Sequence, residues 1–432
     1  MRRGFFWRPV VAAAAIVLAP TASWAGAPGA DHGDTAWVLA ASALVLFMTL
    51  PGLALFYAGL VRAKNALSVM IHCVSIACLI SVLWLGAGYS LVFDGAAPLI
   101  GGLSKAFLIG VGRSDLSGGL PLAAHFVFQL TFAVITPGLI VGAYVERVRF
   151  SSVLLFSGLW LLIVYAPVAH WVWGGGWLAA RGVLDFAGGL VVHATAGISA
   201  LVFAAMLGRR EGFPRDLHPP HNPGMTMIGA GMLWVGWYGF NGGSALAANE
   251  TAAMAILATH ISASVAGLVW AVLERLRFGR ASMVGMVTGV VAGLATITPA
   301  SGYVGPLGAV VIGAAGSIVC FGAVELVKHR LRIDDSLDVF AVHGVGGILG
   351  SLLVAFLADP ALGGAGYAPA VRGMAGQAAA QLLGVAAVVA WSAAATAVLV
   401  LVTRAVVGLR ARDDEIEEGL DLTYHGERAY NA

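Results

Sequence analysis

Polar residues are sparse along this chain and fall at regular intervals. Between them lie eleven apolar stretches of 21 to 26 residues, near 36–61, 67–92, 122–145, 151–172, 186–207, 225–245, 251–273, 281–303, 304–327, 338–358 and 377–402. A run of that length crosses a hydrocarbon layer about 30 Å thick as a helix. Lipid offers the backbone no partner, so the helix satisfies its own hydrogen bonds. The pattern therefore predicts an all-α polytopic membrane protein with eleven transmembrane helices. Glycine and proline interrupt several stretches, which membrane helices tolerate.

Composition agrees. Of 432 residues, 59% are hydrophobic and only 11% charged, with a mean hydropathy of +0.89. A soluble domain carries about 25% charged residues, so a soluble fold is excluded, and so is disorder. A net charge of +2 gives no case for a nucleic-acid partner. Cys73, Cys78 and Cys320 sit in apolar runs without metal-ligand spacing and read as small hydrophobes.

The first residues read as an address. Arg2, Arg3 and Arg8 form a positive start, 10–19 is a short apolar core, and Ser23-Trp24-Ala25 offers small residues for cleavage. Residues 1–25 are thus predicted to be a cleaved signal peptide, with an uncleaved first helix as the other reading. Arg2-Arg3-Gly4-Phe5-Phe6 only faintly resembles a twin-arginine signal. Cleavage leaves 26–35 as an external N-terminus ahead of a membrane domain over 36–404. Residues 405–432 follow as a tail.

Charge then orients the spans. With the N-terminus outside, the odd-to-even turns and the tail face the cytoplasm and should carry Lys and Arg. Seventeen lie there, among them Arg62, Lys64, Arg147, Arg149, Arg209 and Arg210. Four (Lys105, Arg113, Arg181, Arg372) lie on the other side and three in the leader, together the 24 of the chain. An eleven-span chain of this polarity ends with its C-terminus in the cytoplasm.

An internal repeat adds chemistry. Val192-His193-Ala194-Thr195-Ala196-Gly197-Ile198 lies in the fifth stretch, and Val342-His343-Gly344-Val345-Gly346-Gly347-Ile348 in the tenth. Asp185 and Asp335 each stand eight residues before their histidine. Five spans per half is odd, so the second half (about 225–358) is inverted relative to the first (about 36–207). Such two five-helix inverted-topology repeats, here followed by a final helix (about 377–404), place working sites near the midplane between them. Eight helical residues rise about 12 Å, which carries both imidazoles toward mid-membrane. One buried histidine reads equally well as a locally satisfied core residue; two at matched repeat positions mark a pathway. The Pro-rich basic segment 208–224 joins the halves.

Asp185-Phe186-Ala187-Gly188-Gly189 leading into Val191-Val192-His193 resembles the ammonium transporter (Amt/Mep/Rh) family. So do 236–244 (Gly236-Trp237-Tyr238-Gly239-Phe240-Asn241-Gly242-Gly243-Ser244), 338–344, Pro51-Gly52-Leu53-Ala54-Leu55-Phe56-Tyr57 and Trp173-Gly174-Gly175-Gly176. The tail 421–432 is similar to that of the bacterial Amt branch. The resemblance implies a homotrimer in the bacterial inner membrane with one pore per subunit, conducting ammonium nitrogen. It also implies control by a PII-type signalling protein docking at the cytoplasmic face, and no enzymatic activity, cofactor or metal.

By resemblance, Phe128, Trp173 and Ser244 form an outer substrate-binding site. Two rings and a hydroxyl suit a small cation with four donors. Asp185 is expected to cap the fifth helix and to help a nearby cation electrostatically. Asp335 is its inner counterpart, with capping expected to dominate still more. Phe132 and Phe240 form a stacked gate above the pore histidines His193 and His343. An apolar lumen penalises a bare cation by several kcal/mol. The implied cycle binds ammonium, removes its proton and passes neutral ammonia. The other readings are a Rh-like ammonia or carbon dioxide gas channel and an ammonium sensor without net flux. An intramembrane enzyme has no nucleophile–base or His-Glu-x-x-His constellation to support it.

Overall fold

The computed structural model describes residues 29–215 and 218–430. The expected signal peptide, 1–25, lies outside the described residues. Long helices make up nearly all of the remainder, joined by short loops and one two-residue β-ladder, Leu116–Ser117 with Leu120–Pro121, in the loop before the third helix.

Eleven helical runs stand where the eleven apolar stretches were expected. We label them α1 (His32–Leu60), α2 (Ala63–Phe93), α3 (Leu122–Tyr144), α4 (Phe150–Ala180), α5 (Gly189–Leu207), α6 (223–242), α7 (Glu250–Phe278), α8 (Met283–Ile297), α9 (Pro306–Leu331), α10 (Phe340–Leu357) and α11 (Gly373–Val407). Among the described residues, nine are long and apolar enough to cross a membrane; α6 and α8 fall short. The stretch 281–303 predicted a longer α8. Its helix stops at Ile297: Thr298 still has helical backbone, at φ −49° and ψ −48°, but Pro299 has no N–H to donate back to the preceding turn. The chain then turns through 298–303, buried almost throughout.

Helix starts follow local chemistry. Asn222 caps α6 through Met225 N at 2.9 Å with Pro223 in the first turn, and Ser282 caps α8 through Gly285 N at 2.9 Å. Asn249 caps α7, which ends on Gly279 at φ 82° behind Arg275 and Arg277.

One packing pattern recurs in the segments 32–207 and 223–357: α1 lies on α3 and α6 on α8; α2 on α4 and α7 on α9; α3 on α5 and α8 on α10. The segments touch along α1 and α6 and where α5 crosses α10. At this crossing the contact is backbone to backbone. There Gly197 abuts the backbone of Gly344, and a Cβ on Gly197 would collide with Gly344 Cα and N. Small residues let backbones approach in this way. Trp84, Trp160, Trp237, Phe128 and Phe132 fill the interior, while Val82, Leu268, Leu276 and Val406 point outward, as a lipid-facing surface requires.

The tail folds back onto the face that carries 62–65 and 146–149. It forms α12 (Asp413–Glu418) and α13 (Leu420–His425). The Asp421 carboxylate accepts from Leu67 N and Ser68 N at 3.0 and 2.6 Å, capping the start of α2 from another part of the chain. Leu420 N donates to Asn65 Oδ1 at 2.9 Å, and Lys64 Nζ donates to the Glu417 carbonyl.

Candidate functional site

The site is built where α5 and α10 open into π-helical turns. Both histidines lie on such turns, His193 within Gly189–Ala194 and His343 within Phe340–Gly344, and Phe240 lies on a third, Tyr238–Gly242. A π-turn widens the backbone ring by one residue and re-aims its side chains, and such turns recur at functional sites. Nothing in the linear pattern of residues signals them.

The matched histidines meet. Their Nδ1 atoms stand 3.2 Å apart, with ring centroids 5.2 Å apart and planes 16° from parallel. A hydrogen bond between them requires unlike tautomers, one ring donating through Nδ1–H and the other accepting at an unprotonated Nδ1. Both rings are buried, and His193 Nε2 has no hydrogen-bond partner among the described residues. Trp237 stacks on His193 at 5.5 Å and 19°. This indole lies inside the segment 236–244, yet nothing in the sequence singled it out. Its Nε1 donates to Thr298 Oγ1 at 2.9 Å.

A cavity of about 10 Å³ lies against both imidazoles, Phe240 and Trp237. Every other side chain lining it is hydrocarbon or thioether, among them Leu139, Leu233 and Met48. Such a volume admits about one small molecule at a time. Beyond His343 a wider chamber of about 210 Å³ opens toward the basic face, lined by Tyr57, Arg210, Lys328, Asp338 and His343 itself.

On the other side of the pair stand the aromatics. Phe240 and Phe132 have centroids 4.3 Å apart, tilted 31°. Phe132 in turn meets Phe128 at 5.0 Å and the Trp173 ring edge-on at 5.8 Å. Phe128 and Phe132, four apart on α3, lie one turn apart on the same helix face. Ser244 donates to the Phe240 carbonyl at 2.8 Å, which leaves its oxygen lone pairs free to accept. Gly243, just before it, sits against the Phe128 ring.

The two aspartates differ. Asp185 spends both oxygens on backbone: Oδ1 accepts Gly188 N and Gly189 N at 2.9 and 2.6 Å, and Oδ2 accepts Leu190 N and Val191 N at 2.8 and 3.0 Å. The carbonyl of the same residue accepts Trp173 Nε1 at 2.9 Å, so one residue anchors both α5 and the indole. At Asp335 capping was expected to be the stronger. Instead Oδ2 accepts Phe340 N at 2.7 Å, and the buried Oδ1 has no hydrogen-bond partner among the described residues. Gly188, at φ 113°, opens the turn whose amides close around the Asp185 carboxylate. Three residues after Asp335 the backbone also takes a positive φ, 62° at Asp338, but there the side chain pairs with Lys328.

On the basic face a charged knot holds the loops. Glu146 pairs with Arg62 at 3.0 Å and Arg210 at 3.1 Å, and Arg210 also reaches Asp334 at 2.9 Å. Burial alone would raise the Glu146 carboxyl, but Arg210 and then Arg62 outweigh it and hold it at about 2. Fully buried Arg147 donates to the carbonyls of Ala143 and Asp334 and to Ser336 Oγ. Among the described residues no group of three or more His, Cys, Asp or Glu could hold a metal ion.

Comparison with known proteins points to one family. Residues 36–430 match the Ammonium Transporter Family. An ammonium transporter of Aquifex aeolicus is 47% identical over 421 residues, covering 96% of this chain and 98% of that one. The solved structure of a protein described as a sensor Amt protein superposes with a TM-score of 0.86 at 30% identity, over 91% of this chain and 98% of that one. The crystal structure of Saccharomyces cerevisiae Mep2 superposes with a TM-score of 0.81 at 38% identity, over 89% and 91%. The chain is a multi-pass membrane protein and belongs to the Ammonium Transporter Family.

Proposed function

We propose that the protein is a channel-like ammonium transporter that recruits the ion, strips its proton and conducts ammonia. The observation that carries this reading is a succession of neighbouring groups. Trp173 and Phe128 touch Phe132, Phe132 packs on Phe240, and beyond Phe240 two imidazoles face a cavity with no charged lining. Each part has a chemical task. Phe128, Trp173 and the Ser244 oxygen attract a cation, with about 0.5–2 kcal/mol from the ring faces. Asp185, saturated by four amides, fixes the indole and lends negative charge without touching the ion. Phe132 and Phe240 admit one guest at a time. Past them a bare cation has no compensating charge, and its desolvation costs several kcal/mol. Sodium and potassium cannot shed a proton and meet no ring of carbonyls to replace their water.

In this reading all eleven runs span the inner membrane of a bacterium, α6 and α8 included, with the N-terminus outside and the basic face in the cytoplasm. The charge bias and the matched packing of the two halves support that topology and the inverted repeat. A homotrimer, a cleaved leader over 1–25 and docking of a PII-type protein on the tail-bearing face belong to the same proposal. They rest on resemblance alone.

A second reading, an ammonium sensor without net flux, has one observation behind it: the likeness to the sensor Amt structure. Current or uptake by the purified protein in liposomes separates the readings. Ammonium-driven transport with potassium excluded is expected. Ammonium binding without flux would favour the sensor, and carbon dioxide permeation without ammonium dependence would favour a gas channel.

A further inference from the structure

The two halves of the molecule treat one equivalent position differently. Five residues before each histidine the backbone takes a positive φ, 113° at Gly188 and 62° at Asp338. In the first half the position has no side chain, and one would run into Val192 and the Trp173 ring. In the second half it carries a carboxylate. Aspartate tolerates this conformation better than most residues. Asp338 lines the chamber of about 210 Å³ beyond His343, and among the described residues it is the only carboxylate that does so.

A lone carboxylate at the mouth of a path for ammonium is a cation site. It is already filled. Lys328 Nζ, which lines the same chamber, lies 2.7 Å from Asp338 Oδ2. A lysine head group is a primary ammonium, with the same charge as the transported ion and three N–H donors against its four. The pair is only partly enclosed, with about a fifth of each side chain exposed, so water and small ions reach it.

We propose that Asp338 forms an inner ammonium-binding site and that Lys328 occupies it as a tethered competitor. The proposal rests on reading the chain as an ammonium channel. A tethered group competes at high effective concentration, so free ammonium on the basic side gains little from the carboxylate. Nitrogen leaving past His343 is then not retained at the exit, and cytoplasmic ammonium is not gathered there as it is at the outer aromatic site. The asymmetry between the mouths lies in access, since the overall equilibrium is fixed by the gradients alone.

The test uses the full-length protein in liposomes, with ammonium gradients imposed in each direction. The readout is the ratio of the half-saturating concentrations on the basic side and the opposite side. Lys328→Gln is expected to lower that ratio roughly two- to fivefold, the range over which a partly screened ion pair competes. Lys328→Arg keeps the cation and the wild-type ratio. Asp338→Asn removes the site and does not lower the ratio, and Lys328→Gln combined with Asp338→Asn returns it to the wild-type range. An unchanged ratio in Lys328→Gln overturns the proposal. So does a fall in both single variants, which would mark the pair as a structural tie only. Lys328→Met replaces the glutamine variant if that protein fails to elute as a folded species. Absence of ammonium flux in the wild type would overturn the channel reading itself; normal wild-type flux with an unmoved ratio removes only the inner site.

Discussion

His193 and His343 come from segments 150 residues apart and bring their Nδ1 atoms to 3.2 Å, with no carboxylate or cation lining the cavity beside them. The contact is possible because two π-helical turns re-aim the rings and because Gly197 and Gly344 let the helices touch.

Alanine at either histidine removes one partner of a buried hydrogen bond and leaves the other unsatisfied, a cost of about 1–3 kcal/mol. If that cost falls on the transition state for passage, ammonium uptake drops roughly ten- to a hundredfold. Uptake in liposomes, with potassium as the control ion, checks this. Full uptake with potassium still excluded in both variants would defeat the proposed mechanism.

Asp185→Ala strips the partner from four amides at the start of α5 and loosens the Trp173 anchor. A lost cap costs about 0.5–2 kcal/mol, and two saturated oxygens place this one at or above the upper end. The variant should unfold at lower temperature in detergent and lose affinity at the outer site. Asp335→Ala removes a single amide contact and should cost less. Equal melting temperatures for the two variants would contradict the comparison.

Gly197→Ala places a methyl group inside the backbone of Gly344. Overpacking of this kind costs about 1–3 kcal/mol, and the helices must part to accept it. Lower thermal stability and reduced transport together are expected. A variant that melts and transports like the wild type would show that the crossing has slack.

Glu146 ties the basic face to the tail, because its Oε1 accepts Asn65 Nδ2 at 3.2 Å while Asn65 Oδ1 holds Leu420 N. The sign of its pH dependence follows from a folded value near 2 against about 4.3 unfolded. The stabilisation is fully present above about pH 4.5 and disappears as pH falls toward 2, about 3 kcal/mol in all. Glu146→Gln should lose that contribution at pH 7, flatten the melting profile through this window and expose 413–425 to protease. Truncation of 419–432 removes the Leu420 and Asp421 contacts to the start of α2 and should leave the membrane helices folded while altering transport or PII binding. A profile in Glu146→Gln as steep as that of the wild type would refute the linkage.

Much of this molecule was legible in one dimension. Apolar run length marks a membrane helix, because lipid penalises every unpaired backbone group; among the described residues nine of the stretches form helices long and apolar enough to cross a membrane, and shorter helices stand at the other two. The matched spacing of Asp185 to His193 and Asp335 to His343 singled out the two histidines, but the helical rise assumed between them does not apply, because α5 begins only at Gly189 and α10 only at Phe340. Other features had no linear signature. The π-turns, the stacking of Trp237 on His193 and the unequal capping of the two aspartates depend on how segments far apart in the chain press on one another. Pro299 ended α8 early because it has no N–H to continue the ladder, a local effect that run length alone does not register. Lys328 and Asp338 are ten residues apart, too distant to pair along one helix, and meet only because α9 ends and α10 begins at the same chamber. Hydrophobicity is a property of single residues and survives in the sequence; the angle and register at which helices meet belong to pairs of surfaces and exist only in the folded chain.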